Sequence, residues 1–212
     1  MSPELPDDVV AAARQGDPTA VEAVLRAHLD VVHAVCRRMC RDPGDAEDAT
    51  QEALLAIARG LPRFDGRSAV STWAYRVTVN ACTDQLRRAR RRPAPVPPDA
   101  TRLDRGGPAA GPAPPEERVE AAEVRRRIAD ALAGIPEDQR AAVVLRDVAD
   151  LDYAAIAEAL GIPAGTVRSR IARGRAALAD ALADLRAPTP APPRPNPPGT
   201  DAPAPSSKGP VR

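Results

Sequence analysis

The fold of the second half of the chain is decided by one stretch, Gly165-Thr166-Val167-Arg168-Ser169-Arg170-Ile171-Ala172-Arg173-Gly174-Arg175. At about 100° per residue, the apolar residues of this stretch fall on one face of a helix, and the opposite face is small, polar and cationic. The segment 152–163 precedes it and predicts a short amphipathic helix that is ended by Gly161 and Pro163. The apolar stripe of this helix is Tyr153, Ile156, Ala157 and Leu160. Two short helices in this order, the second one basic, are typical of a helix-turn-helix.

The basic helix offers several side chains to a DNA groove. Arg170 and Arg173 are long enough to reach base edges or phosphates, and Arg168 flanks them. Thr166 and Ser169 are short, so the backbone can approach the DNA where the helix N-terminus attracts phosphate. The alternative is an ordinary helical hairpin with a solvated basic face. The turn chemistry, the apolar stripe and the arginine placement together favour binding to duplex DNA.

Composition and charge set the context for this motif. The 212 residues carry a net charge of only +1, but five arginines fall within 87–92 and five acids within 42–52. A basic surface and an acidic surface therefore predict two kinds of partner. We find no apolar segment of membrane-spanning length and no signal-peptide pattern, so we expect a cytoplasmic protein without a membrane segment.

Proline marks the domain boundaries. Eight of the 25 prolines lie in 93–115 and ten in 188–210, where apolar periodicity is missing. The sequence predicts an all-α protein with a helical bundle at the N-terminus and a four-helix domain containing the helix-turn-helix at the C-terminus. A flexible linker of this length could stretch to roughly 70 Å, so two domains could grip one duplex at separated sites. The predicted segments are an N-terminal domain (1–92), a proline-rich linker (93–115), a C-terminal domain (116–186) and a proline-rich tail (187–212).

An acidic ridge is predicted in the first domain. Asp45, Asp48, Gln51 and Glu52 follow one another at i, i+3, i+6 and i+7 on a helix that begins after Asp42. Acids in a first turn also favour the helix dipole, which is a purely structural reason for them. Docking against basic side chains of another protein is the functional alternative.

Three of the four aromatic residues lie close together in the sequence. Phe64, Trp73 and Tyr75 surround a Gly/Ser loop that leads into a helix ending in the arginines of 87–92. Aromatics beside such a loop and a cationic helix suit single-stranded nucleic acid, whose bases stack or flip into pockets. The alternative is that the aromatics form the core, which we favour for Tyr75. Trp73 falls on a polar helix face with Asn80, which could then read a base edge.

The three cysteines have two possible roles. Cys36, Cys40 and Cys82 are an odd number, so they cannot all form disulfides with one another. The sequence shows no fourth zinc ligand and none of the usual zinc-site spacings. We expect reduced thiols in the core or on the surface and no metal or other cofactor, with metal binding or redox sensing as the alternative. His28 lies on an apolar stripe and is expected to be a packed histidine.

The motifs of both predicted domains resemble those of an extracytoplasmic-function (ECF) sigma factor. In the first domain they are Asp45-Ala46-Glu47-Asp48, Gln51-Glu52, Phe64-Asp65-Gly66-Arg67-Ser68, Ser71-Thr72-Trp73, Val79-Asn80 and Asp84-Gln85-Leu86-Arg87-Arg88. In the second they are Ile135-Pro136-Glu137-Asp138-Gln139-Arg140, Tyr153-Ala154-Ala155-Ile156-Ala157 and Gly165-Thr166-Val167-Arg168-Ser169-Arg170. The resemblance covers both helical domains in the family's order. It leaves out only the linker and the tail.

The resemblance implies partners and a role for each surface. The partners would be RNA polymerase core, through its β′ clamp helices and β flap, and promoter DNA, and family members often have an anti-sigma factor. Polymerase binding would fall to Asp45, Asp48, Gln51 and Glu52. Melting of the −10 element and capture of its single strand would fall to Phe64, Asp65, Gly66, Ser68, Ser71, Trp73, Asn80, Arg87, Arg88 and Arg91. Readout of the −35 element would fall to Thr166, Arg168, Ser169, Arg170 and Arg173.

A sigma factor is not an enzyme, and we see no nucleophile–base pair or phosphate-binding glycine loop. Two other classes of protein fit parts of the sequence. A conventional helix-turn-helix regulator would bind an operator as a dimer without polymerase. A binding module that sequesters another regulator would use the cysteines as a metal or redox switch.

Overall fold

The computed structural model describes residues 5–92 and 115–186, and all regular structure in these two ranges is helical, as predicted. The proline-rich tail, and the linker apart from Pro115, lie outside the described residues. Within the described ranges, none of the helices combines the length and the apolar character needed to cross a membrane. The helices are α1 (Asp7–Arg14), α2 (Pro18–Met39), α3 (Pro43–Gly60), a 3-10 turn (Leu61–Arg63), α4 (Val70–Arg91), α5 (Pro115–Gly134), α6 (Glu137–Asp147), α7 (Tyr153–Leu160), α8 (Ala164–Ala181) and α9 (Ala183–Arg186).

The first domain is a bundle in which α2, α3 and α4 pack against one another and α1 packs on α2. Aspartates cap two of these helices, because their carboxylates accept hydrogen bonds from backbone N–H groups that the first turn leaves without partners. Asp17 accepts from Ala20 N at 2.7 Å at the start of α2. Asp42 accepts from Gly44 N at 2.8 Å and from Asp45 N at 3.1 Å at the start of α3.

The buried face of α2 agrees with the apolar stripe in the sequence. It consists of Ala20, Val24, His28, Val32, Val35, Cys36 and Met39. His28 is a packed histidine, as expected: its Nδ1 lies 2.8 Å from the carbonyl oxygen of Val24, and its ring meets Tyr75 edge-on at 5.9 Å between centroids. Tyr75 itself is fully buried, so its predicted core role is confirmed.

All three cysteines are free thiols and all are buried. Among the residues that the structure describes, no group of three His, Cys, Asp or Glu side chains could hold a metal ion.

The second domain is built on α6 and α8, with α7 packed against both. Asp152 caps α7 by accepting from Ala155 N at 2.7 Å, and Gly161 ends the helix in the left-handed conformation with φ of 63°. The turn chemistry predicted for Gly161 is therefore confirmed, since a left-handed cap favours glycine. This turn sets the angle at which α8 leaves the body of the domain.

The two domains pack against each other, with α7 on α4 and α6 on α2. Arg140 of α6 holds this contact: its guanidinium donates to the carbonyl oxygen of Met39 in the first domain at 2.6 Å, and to Ala133 O and Ile135 O at 2.9 and 3.1 Å. The sequence predicted domains that a long linker allows to separate. In this structure the buried apolar residues of the two domains form one cluster.

Candidate nucleic-acid interface

The basic helix α8 is anchored by its apolar face. Val167 and Ile171 are buried against the domain core, as predicted, and Gly174 is buried where α8 crosses α6. Arg168, Ser169 and Arg173 are exposed, whereas Thr166 and Arg170 are partly buried. The helix therefore presents the predicted polar side chains along one side, with its first turn at the edge of the domain.

The arginines of α8 differ in what they contact. Arg170 is directed back to α6, where its Nε lies 3.1 Å from a carboxylate oxygen of Asp138 and its side chain is only 23% exposed. Arg173 donates from Nε to the carbonyl oxygen of Ser169 at 3.2 Å and stays on the helix surface. Arg170 therefore has to exchange its partner to reach a DNA base, whereas Arg168 and Arg173 already face outward.

Tyr153 departs from the sequence prediction. The pattern placed it on the apolar stripe of α7, but its side chain is 40% exposed. The guanidinium carbons of Arg146 and Arg168 lie 5.9 and 6.0 Å from its ring centroid, so the ring packs between two cations instead of entering the core. Tyr153 thereby orients Arg168, one of the predicted DNA contacts. Sequence reasoning missed this role because a tyrosine at helical spacing resembles a core residue.

The acidic ridge on α3 is only partly free. Asp45 accepts from Gln85 Nε2 at 2.8 Å and from an Arg92 guanidinium nitrogen at 2.9 Å, and its side chain is 14% exposed. Asp48 is 61% exposed and lies 3.9 Å from Arg92. Gln51 and Glu52 are exposed. The ridge therefore has an outer part, Asp48 to Glu52, and an inner residue, Asp45, that binds the end of α4.

An apolar residue that was not predicted extends the ridge. Leu55 follows Gln51 at i+4 and Glu52 at i+3, and it is 49% exposed. An exposed leucine beside acids is typical of a protein contact, whose centre is apolar and whose rim is charged. Its position one turn after the predicted acids was the signal available in the sequence.

The predicted strand-capture region surrounds a cleft between α1 and the loop 64–70. Its lining includes Arg14 from α1 and Phe64, Gly66, Ser68 and Ser71, and its volume is about 520 Å³. Asp65 and Gly66 are exposed at the rim, and Gly66 has a φ of 76°, which favours glycine. On α4, Asn80, Arg87, Arg88 and Arg91 are also exposed. The loop and the helix thus leave most of the predicted polar contacts on the surface.

The two aromatics of this region are buried. Phe64 and Trp73 pack together with ring centroids 5.3 Å apart, and they are 5% and 9% exposed. The sequence placed Trp73 on a helix face too polar to be core, and that placement is wrong. The ring fits inside because Gly60 has no side chain: a Cβ atom at Gly60 would lie 2.7 Å from Cζ2 of Trp73. The packed rings of Phe64 and Trp73 support the loop 64–70 from the interior of the domain.

Comparison with known proteins identifies the architecture. The sequence matches the family Sigma-70 region 2 over residues 24–92 and the family Sigma-70, region 4 over residues 125–178. The fold is similar to that of CnrH in complex with the cytosolic domain of CnrY, with a TM-score of 0.61, 23% identity, and coverage of 84% of this chain and 97% of that one. It is also similar to the sigma factor RpoE of Bartonella quintana in complex with the anti-sigma factor NepR, with a TM-score of 0.57, 20% identity, and coverage of 76% and 96%.

Two curated relatives narrow the class. The ECF RNA polymerase sigma factor SigM of Mycobacterium tuberculosis is 37% identical over 178 residues, which are 84% of this chain and 85% of that protein. The ECF RNA polymerase sigma-E factor of Escherichia coli is 35% identical over 182 residues, 84% of this chain and 95% of that protein. The chain belongs to the ECF RNA polymerase sigma factors. It is a non-enzymatic transcription initiation factor that binds RNA polymerase and promoter DNA.

Proposed function

We propose that three surfaces of this sigma factor divide the work of promoter recognition. The outer acidic ridge on α3 binds polymerase, the loop 64–70 and α4 capture the −10 strand, and α8 reads the −35 element as duplex. The observation that carries the proposal is the distribution of exposed polar side chains over these three surfaces, each held by a buried apolar face. Because polymerase and promoter DNA are in the cytoplasm, we infer that the protein works there.

The activity as a whole is tested by transcription in vitro. Core polymerase with the purified full chain is expected to initiate at discrete sites on a library of the source genome, and core polymerase alone is not. Initiation on no template would contradict the proposal, whereas specific duplex binding by a dimer of the free protein would favour an operator-binding regulator.

The polymerase surface is tested by reversing one charge. Asp48→Arg changes a carboxylate that is 61% exposed, so the fold is expected to persist while binding to polymerase is lost. Glu22→Arg is the matched control, because Glu22 is 65% exposed on α2, away from the ridge. Co-purification with core polymerase is the measurement. Retained binding by Asp48→Arg would remove the ridge from the interface.

The strand-capture surface is tested at Asn80, which is exposed on α4. Asn80→Ala is expected to reduce opening of the −10 element while binding to a closed promoter duplex stays unchanged. A fluorescent base analogue in the −10 element reports opening, since unstacking changes its emission. Phe64 and Trp73 act on the strand through the shape of the loop, because their rings are buried. Normal opening with Asn80→Ala would exclude a base contact there.

The duplex surface is tested within one helix. Arg168→Ala and Arg173→Ala are each expected to weaken −35 binding by about 1–3 kcal/mol for a base contact. Arg170→Ala is expected to weaken −35 binding only if Arg170 exchanges Asp138 for a DNA contact when the complex forms. Arg175→Ala is the matched control, because Arg175 donates from Nε to Asp147 at 3.2 Å, and this hydrogen bond raises the pKa of the guanidinium. Unchanged affinity in the first two variants would remove α8 from readout.

We also propose that a partner protein stabilises the packed arrangement of the two domains. Two structures of similar fold are complexes, one with the cytosolic domain of CnrY and one with an anti-sigma factor. Promoter elements about two helical turns apart require the domains to separate along the linker. Distance measurements between labelled domains are expected to lengthen when polymerase binds. An unchanged distance would contradict this part of the proposal.

A further inference from the structure

All three thiols of the chain are buried in the first domain, and two of them are in contact. Cys36 is on α2, Cys82 is on α4, and their sulfur atoms are 3.5 Å apart. Cys40 follows Cys36 by one turn at the end of α2, and its thiol contributes to raising the pKa of Cys82. A lone buried cysteine acts as a small apolar residue, but polymerase binding and DNA readout give no reason for three buried thiols on two helices that pack together.

One of the three buried thiols lies next to a surface cleft. Cys36 and Cys82 are fully buried, whereas Cys40 is 3% exposed at the end of α2 and lines a cleft of about 440 Å³ between the two domains. The cleft has more arginines than acids, although Asp130 lies 2.9 Å from Arg41 and 4.0 Å from Arg126, and Glu123 also binds Arg126. Its arginines are Arg37, Arg38 and Arg41 from the first domain and Arg125 and Arg126 from the second. Such a cleft concentrates anionic reagents beside Cys40.

The buried pair is set up for thiol chemistry. A disulfide needs about 2.05 Å between sulfurs, so Cys36 and Cys82 must approach by about 1.5 Å, which is a small movement of two packed helices. A hydrogen bond from Cys82 lowers the pKa of Cys36 against the opposing effect of burial. Hydrogen bonds with Cys36 and Cys40, together with burial, raise the pKa of Cys82. The hydrogen bond that Cys82 donates therefore favours Cys36 over Cys82 as the thiol of this pair that loses its proton more readily.

We propose that Cys40 is a modification site for a carboxylate-bearing low-molecular-weight disulfide. Thiol–disulfide exchange through Cys82 then converts the modified Cys40 into a Cys36–Cys82 disulfide. Oxidation then ties α2 to α4 across 46 positions of chain. A cross-link of this span stabilises the first domain, which carries the polymerase and −10 surfaces, by restricting its unfolded state.

The steps balance with one disulfide, RSSR, as the oxidant. The Cys40 thiolate attacks RSSR, forms a Cys40–S–S–R bond and expels RS⁻. Cys82, as it gives up its proton, attacks Cys40 Sγ and expels the second RS⁻. The Cys36 thiolate then attacks Cys82 Sγ and returns Cys40 as a thiol. In total, two protein thiols are oxidised, and RSSR is reduced to two RSH, which take up the two protons.

The charge of the reagent gives a test that needs no variant. The reduced full chain is treated with oxidised glutathione, which is anionic, or with cystamine, which is cationic, under conditions where circular dichroism shows the native fold. We expect cross-linking to be at least about ten-fold faster with oxidised glutathione at low ionic strength, with the difference lost in 1 M salt. Equal rates at low salt, or faster reaction with cystamine, would overturn the role of the cleft.

The product and the order of steps give the second test. Mass spectrometry without reduction is expected to show a loss of about 2 Da and linked peptides containing Cys36 and Cys82. The melting temperature is expected to rise by on the order of ten degrees. Cys40→Ser should slow the reaction at least about ten-fold without changing the linked pair. A stable Cys40 adduct without a cross-link, or an unchanged rate in Cys40→Ser, would contradict the relay.

Discussion

Replacing Gly174 with alanine tests whether α8 is held against α6 by direct contact of its backbone. Gly174 is buried in the middle of α8, and a Cβ atom on it would lie 2.7 Å from Cγ2 of Val143 and 3.4 Å from the carbonyl oxygen of Gln139. Non-bonded carbon atoms prefer about 3.5–4.0 Å. Val143 is itself 3% exposed in α6, and a β-branched side chain in a helix has one strongly preferred rotamer. The clash therefore has to be relieved by movement of the helices.

Two opposing effects set the size of the change in the free energy of unfolding. Alanine favours a helix over glycine by roughly 1 kcal/mol. Overpacking a filled core costs about 1–3 kcal/mol, and the upper part of that range applies where a stiff side chain and a backbone atom both obstruct. We expect Gly174→Ala to lower the free energy of unfolding by about 1–2 kcal/mol.

Gly165→Ala in the same helix is the matched control. A Cβ atom at Gly165 meets nothing within 4 Å, so the propensity effect acts alone. We expect that variant to be more stable than the native chain by up to about 1 kcal/mol. Urea denaturation followed by far-ultraviolet circular dichroism measures both variants on one scale, and the two changes should have opposite signs.

A double-mutant cycle locates the contact. Val143→Ala opens space beside position 174, so Gly174→Ala should cost at least about 1 kcal/mol less in that background than alone. Equal stability of the Gly174→Ala and Gly165→Ala variants, or strict additivity with Val143→Ala, would refute the argument that α6 and α8 touch at this glycine.

Three further predictions concern single contacts. Arg140 is 6% exposed, and its guanidinium donates three hydrogen bonds to carbonyl oxygens. Arg140→Met removes these bonds and should lower the free energy of unfolding, measured by urea denaturation, by about 3–5 kcal/mol. Arg173→Met is the control and should change it by less than about 0.5 kcal/mol. Gly60→Ala places a Cβ atom 2.7 Å from Trp73, so it should cost about 1–2 kcal/mol and shift the emission of this single tryptophan to longer wavelength. Asp152→Ala removes the cap of α7 and should lower the free energy of unfolding by about 1 kcal/mol, which is measured as a lower melting temperature. Asp152→Asn should retain most of the stability, because asparagine can also cap a helix.

Features set by neighbouring residues were predictable from the sequence. The apolar faces of α2 and α8 follow from helical periodicity, and the caps at Asp17 and Gly161 follow from local hydrogen bonding and backbone conformation. The buried role of Tyr75 also follows, since it shares a stripe with apolar residues. Each of these features depends on residues within about one or two helical turns of one another, so helical periodicity and local hydrogen bonding predict it.

The features that were missed depend on residues far apart in the chain. Trp73 is buried because Gly60, at the end of another helix, leaves room for its ring. Asp45 is withdrawn from the acidic ridge because Arg92 reaches it across 47 positions. Tyr153 faces outward because two arginines from different helices flank it. Periodicity assigns a face to each of these residues but contains no information about its partner.

The arginines at the end of α4 connect the surfaces to one another. Arg92 binds Asp45 of the acidic ridge, Arg90 lies 3.0 Å from Glu137 of the second domain, and Arg87 lies 3.4 Å from Asp84 on its own helix. Acidic residues of both domains therefore partly neutralise the arginines of 87–92.

Exposed ion pairs of this kind stabilise a protein by only about 0–1 kcal/mol each, because solvent screens them. If Arg90 leaves Glu137, or Arg41 leaves Asp130, to bind oxygens of polymerase or of a DNA phosphate, the free-energy cost is therefore small. The buried Arg140 and the apolar residues packed around it have no such substitute in solvent. Separation of the domains is therefore controlled by that buried contact, and added salt alone is not expected to part them.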